Sequence, residues 1–127
     1  MGCPLPLRCV IVDDNAAFID TASKLLSRDG FTVVGVASNI AEAVKVVASL
    51  TPDVTIVDVY LGSESGFALA ELLAEPDAPP VVLTSTHSEQ EFADMIEESA
   101  AVGFVSKADL SSEAIRQFLI DSATQQD

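Results

Sequence analysis

The chain has 127 residues, 49% of them apolar and 20% charged, and its 20 acidic against 6 basic side chains leave a net charge of −14. That composition excludes a disordered chain and supports one domain with its own core, independent of disulfides or metals for folding. A surface so acidic repels nucleic-acid phosphates and anionic membranes, which leaves a cation or a basic partner as the better fit.

The Pro-rich start, residues 1–7, is expected to be flexible and carries Cys3. Arg8 to Val12 is predicted as a short buried strand, with Cys9 acting as a small hydrophobe, and Asp13 and Asp14 end it. The two cysteines show neither a disulfide framework nor metal spacing. Asn15 to Arg28 has helical spacing, with Phe18, Ile19, Ala22, Leu25 and Leu26 on one face and Gly30 closing it. Thr32 to Ala37 is a second strand. Ser38-Asn39 can cap a second helix whose apolar stripe is Ile40, Ala43, Val44, Val47 and Ala48, with Pro52 as its stop.

Val54 to Val57 is a third strand, all suited to burial, and Asp58 ends it abruptly. Phe67 to Ala74 is a short third helix, and Pro76, Pro79 and Pro80 mark a turn. Pro80 to Thr84 is the fourth strand, followed by Ser85. Ser88 and Glu91 have capping-box spacing, so a fourth helix is expected there, with Phe92, Met95, Ile96 and Ala100 inward. Val102 to Ser106 is a fifth strand, followed by Lys107. Leu110 to Ala123 is a fifth helix carrying Ile115, Phe118 and Leu119, and residues 124–127 read as a tail or the start of a linker. No leader-like segment and no apolar run near the ~20 residues of a membrane span is present, so the cytoplasm is the expected compartment.

Five strands alternating with five helices imply an α/β fold, a parallel sheet covered on both faces with right-handed crossovers. In such a sheet ligands bind at the carboxyl edge. Asp13 and Asp14, Asp58, Ser85 and Lys107 each directly follow a strand, so three carboxylates, a hydroxyl and an ammonium share that edge. Taken alone, Asp58 could merely cap the next turn. The five together point to chemistry. Clustered carboxylates repel one another unless a cation joins them, and oxygen ligands favour a hard ion such as Mg²⁺ or Mn²⁺. A lysine and a hydroxyl beside that ion suit a phosphoryl group, with a carboxylate as acceptor.

With VDDN at 12–15, VDVYLGSESG at 57–66, LTSTH at 83–87 and GFVSKADL at 103–110, the chain resembles the receiver domain of two-component response regulators, those of the NarL/FixJ type among them. The resemblance runs over residues 8–123. It implies a flavodoxin-like, doubly wound sheet of order 2-1-3-4-5. It further implies that Asp58 accepts the phosphoryl group from a sensor histidine kinase or phosphotransfer protein. The metal ligands would be Asp14 directly, Asp13 mainly through water, Asp58 itself and the backbone carbonyl of Tyr60. Ser85 would hydrogen-bond the phosphoryl group and Lys107 would pair with it. Phe104 would be an aromatic switch that turns inward as Ser85 moves. The face of the fourth helix, fifth strand and fifth helix would pair receivers as a homodimer or meet an output partner. Such a domain catalyses only its own phosphorylation and dephosphorylation.

Three positions depart from the family. Gly62 stands where proline is usual, with Gly66 retained, so the loop is expected to keep its course with more flexibility. Ala108 replaces a proline after Lys107, so a trans bond is expected. Thr86 replaces a small residue; with Tyr60 and His87 it is expected to hinder the hydrolytic water and slow dephosphorylation. His87, in a loop, is given no phosphodonor role. Two other readings compete. A haloacid-dehalogenase-like phosphatase would need an Asp where Tyr60 stands. An interaction module working without phosphorylation would normally have lost part of the cluster, and none is lost.

Overall fold

The structure is a computed structural model that describes residues 7–75, 78–87 and 89–124. The main sheet contains β1 (Leu7–Val12), β2 (Phe31–Ala37), β3 (Val54–Asp58), β4 (Val81–Ser85) and β5 (Gly103–Ser106). All pairings are parallel, in the spatial order β2-β1-β3-β4-β5. The helices are α1 (Ala16–Arg28), α2 (Ile40–Leu50), α3 (Gly66–Leu72), α4 (Ala93–Glu98) and α5 (Ser112–Thr124). This is the parallel sheet covered on both faces expected from the alternating pattern, in the doubly wound, flavodoxin-like order that the resemblance implied. β1 begins at Leu7 and α5 reaches Thr124, each one residue beyond the expected limits. Cys3, Pro76 and the Ser88 side of the expected capping box lie outside the described residues.

The pleat sends alternate residues of each strand to opposite faces. Val10, Val12, Val57 and Leu83 pack with α2, α3 and the rings of Phe92 and Phe104. Cys9, Ile11, Ile56 and Val82 pack with Ala22 and Leu26 of α1 and Ile115 of α5. β3 is buried along its whole length because it lies in the middle of the sheet with layers on both sides.

Local rules set the helix starts. Asn15 caps α1 by accepting from the N–H groups of Ala17 and Phe18, at 2.9 and 3.2 Å. Asn39 caps α2 by accepting from Glu42 N at 2.9 Å. The structure corrects two expected apolar faces. In α2, Val44 and Ala48 are exposed and Val46 and Leu50 take the inner positions, because the helix lies over β2 and β1, where those two side chains pack at Gly35 and Val10. In the fourth helical region, residues Glu89–Phe92 form a 3-10 turn and only 93–98 are α-helical. The tighter turn shifts the angular phase of the α-helix that it leads into. Phe92 is buried and Ile96 half-buried, but Met95 and Ala100 face solvent.

A small hairpin, absent from the expected elements, comes after β3. Tyr60–Leu61 pairs antiparallel with Glu64–Ser65 across a Gly62-Ser63 turn. Gly62 has φ +66° while Ser63 does not have a positive φ, the pattern of a type II′ turn. Proline, held near φ −65°, could not take this conformation. Gly62 therefore permits the hairpin.

Candidate functional site at the carboxyl edge of the sheet

The expected residues do meet at one edge. Asp13 follows β1, Asp58 ends β3, Ser85 ends β4 and Lys107 follows β5. Parallel register aligns these ends: Asp58 pairs with Thr84, and Ser85 with Ser106. One carboxylate oxygen from each of Asp13, Asp14 and Asp58 lies within 4.8 Å of the others. Asp13 and Asp58 are buried, and Asp14 is exposed.

Backbone donors hold the buried pair. Asn15 N donates to Asp13 Oδ1 at 2.8 Å and Tyr60 N to Asp58 Oδ1 at 3.3 Å. The Lys107 ammonium bridges the other two oxygens, 2.7 Å from Asp13 Oδ2 and 3.2 Å from Asp58 Oδ2. The shorter of these is the closest charge contact in the cluster. Burial, and then the charge of Asp13, push the Asp58 carboxyl above its ordinary range; Lys107 and the Tyr60 N–H oppose this only in part. Burial alone would depress Lys107, but its contact with Asp13 and the charge of Asp58 outweigh that and raise it. The ammonium is therefore firmly charged.

Three carboxylates against one ammonium leave an excess of two negative charges if all are ionised. A divalent cation would neutralise that excess. The donor set is all oxygen, as a hard ion requires.

Gly66 lets α3 begin directly against the end of β3. Its N–H donates to Val59 O at 2.7 Å, and a Cβ added there would lie 2.1 Å from the Asp58 carbonyl oxygen. No other residue allows α3 to start so close to the end of β3.

The Ser85 side chain is fully buried and its Oγ accepts from His87 N at 3.1 Å. Phe104 is buried, its ring 6.2 Å from that of Phe92. Tyr60, Thr86 and His87 are exposed, with the Tyr60 and His87 rings in edge contact at 5.7 Å. The Lys107–Ala108 bond is trans, as are all described peptide bonds. Two residues of the site are not legible as such in the sequence. The ring of Phe18 sits 4.3 Å beneath the Lys107 ammonium, although its only local signal is apolar helical spacing. Glu64 accepts from Ile40 N at 2.9 Å and ties the hairpin to the start of α2; nothing in its local sequence marks that distant contact.

The chain belongs to the response regulator receiver domain family, whose pattern matches residues 9–119. It is 31% identical over 111 residues to the transcriptional regulatory protein YdfI of Bacillus subtilis, covering 85% of this chain and 51% of that protein. It is 35% identical over 105 residues to protein-glutamate methylesterase/protein-glutamine glutaminase 5 of Myxococcus xanthus, covering 80% of this chain and 30% of that protein. The chain thus spans about half or less of these relatives. Among solved structures, the signal receiver domain of NarL from Mycobacterium tuberculosis superimposes with a TM-score of 0.79 at 27% identity, over 97% of this chain and 100% of that one. The protein is a response regulator receiver domain of two-component systems.

Proposed function

We propose that this receiver accepts a phosphoryl group on Asp58 from the phosphohistidine of a sensor histidine kinase or phosphotransfer protein, in a Mg²⁺-dependent reaction. The supporting observation is the Lys107 ammonium held between Asp13 and Asp58 with Asp14 beside them, a cluster whose charge is completed by a divalent cation. Asp13, Asp14, Asp58 and the Tyr60 carbonyl would hold that ion, and Mn²⁺ would substitute. When bound, it supplies neutralising charge to the phosphoryl oxygens.

An Asp58 carboxylate oxygen attacks phosphorus as the bond from phosphorus to the donor imidazole breaks, and the imidazole takes up a proton from water. Lys107 pairs with the phosphoryl oxygens, and Ser85 turns its hydroxyl toward them, releasing the contact with His87 N. Little covalent work is needed from the protein, since positioning and neutralisation lower this barrier. Ser85 and the buried Phe104 then move together and alter the face of α4, β5 and α5. Asp94, Glu97 and Glu98 give the α4 part of that face a single sign of charge, so self-pairing would oppose like charges; a partner suits it better than a second copy. Tyr60, Thr86 and His87 crowd the water approach and slow hydrolysis of the acyl phosphate. The domain works in the cytoplasm and catalyses only its own phosphorylation and dephosphorylation.

Phosphoramidate or acetyl phosphate with Mg²⁺ should add one phosphoryl group by intact mass, and Asp58→Asn should add none. An equal adduct on the variant would overturn the assignment.

A further inference from the structure

Between Val46 and Ser106 the chain carries eleven carboxylates and no lysine or arginine; all six basic residues lie outside that stretch. The stretch contains the hairpin, α3 and α4. Hairpin and α4 enclose a cavity of about 280 Å³ lined by Tyr60, Glu64, Phe67, Phe92 and Met95 with neighbouring backbone. Its floor is the buried rings of Phe67 and Phe92, 6.0 Å apart. Tyr60 and Met95, 51% and 49% exposed, stand at its rim. Two large apolar side chains left half in water beside a ready cavity mark a surface that gains by being covered.

Charge states what covers it. Glu98 lies one helical turn beyond Met95 and Asp94 adjoins it, both exposed. Glu91, four residues before Met95, meets His87 Nδ1 at 2.9 Å, and Glu64 on the opposite wall spends one oxygen on Ile40 N. The described rim therefore carries carboxylates on both sides and no lysine or arginine to answer them. A cavity of this size suits a single apolar side chain anchored by its neighbours.

We propose that this groove docks a basic peptide segment of a partner protein, which inserts one apolar side chain between Tyr60 and Met95 while flanking lysines or arginines meet Asp94 and Glu98. The interaction belongs to the unphosphorylated domain and does not depend on Asp58 being an acceptor. Helix or strand edges laid in apolar grooves recognise partners in this way, with pockets giving specificity and rim charge giving speed.

The test titrates the full isotope-labelled chain with a short synthetic peptide of lysine and alanine containing one central leucine, monitored by NMR. Shifts should concentrate at Tyr60 to Ser65 and Phe92 to Met95, and Asp58→Asn should bind equally well. Replacing the leucine with glycine, or Met95→Ala in the protein, should each weaken binding about fivefold or more, as expected for losing roughly half the burial of one apolar side chain. Asp94→Lys should weaken it too, and raised salt should slow association. Met95→Ala and Asp94→Lys alter exposed positions, and an unchanged circular dichroism spectrum checks their folding. Equal binding by the leucine and glycine peptides, shifts spread over distant carboxylates such as Asp20 and Asp121, or no binding at low salt would each overturn the proposal.

Discussion

The helices on one face of the sheet, α1 and α5, run 13 residues each, whereas α3 and α4 on the other face run 7 and 6. α1 starts under an asparagine that accepts two N–H groups and buries Ala22 and Leu26. α4 has no side-chain cap and no buried residue. The first layer is a foundation, and Lys107 rests on it through the Phe18 ring. In the second, α2 and α3 are anchored by Ala43, Val47, Leu69 and Ala70, whereas α4 is held mainly through Phe92 beside it, whose ring meets those of Tyr60, Phe67 and Phe104. Segments with few buried contacts open at the lowest free energy. A domain built this way can keep its charged cluster in register while α4 shifts, a division of labour that the proposed signalling role would use.

The largest expected effect is at the point where the second layer touches the cluster. Gly66→Ala would drive a methyl into the Asp58 carbonyl and should cost about 3 kcal/mol. Urea denaturation checks it; a midpoint equal to the parent's would mean that the end of β3 yields freely.

Next come paired truncations that compare the layers. Leu26→Ala, in α1 and fully buried, should cost about 2–3 kcal/mol, while Met95→Ala, on the exposed side of α4, should stay within ~0.5 kcal/mol. Equal costs in the same urea experiment would erase the distinction between the foundation and α4.

A smaller effect of opposite sign is expected inside the cluster. The folded Asp58 carboxyl titrates above its unfolded value, so ionising it costs stability: the cost sets in above the unfolded pKa and is complete above the folded one. Asp58→Asn should therefore melt above the parent at neutral pH, with the advantage vanishing in acid, and Mg²⁺ should narrow the gap by stabilising the parent. Melting temperatures across pH, with and without Mg²⁺, provide the check. A variant that melts lower at neutral pH would show that the Lys107 contact outweighs burial.

The smallest effect belongs to the foundation. Burial, and then the charge of Asp53, push the Cys9 thiol up to about 12. Because the fold favours the neutral thiol, stability should decline as pH rises past the unfolded thiol's pKa of about 8.5 and go on declining toward the folded value. In a Cys3→Ser background, Cys9 should react with a thiol reagent only as fast as the domain opens. Rapid labelling without denaturant would show a loose seam under β1.

The alternation of strands and helices, and the residue that stands after each strand, are legible in the chain alone. Both are local matters: an apolar run ends at a carboxylate, an asparagine caps a helix, a proline stops one. That was enough to put Asp13, Asp14, Asp58, Ser85 and Lys107 on one edge, since the edge is a consequence of parallel topology. How the cluster is held is a property of the folded molecule. That Lys107 bridges Asp13 and Asp58 while resting on Phe18, and that Gly66 abuts the Asp58 carbonyl, depends on segments far apart in the chain. Folding also selects which way the short helices face. In α4 a 3-10 turn resets the angular phase and leaves Met95 in solvent, and in α2 the sheet edge selects Val46 and Leu50 over Val44 and Ala48. Apolar spacing shows that a helix has an inner face, but in a helix of two turns several faces fit the same spacing, and the neighbours it packs against choose among them.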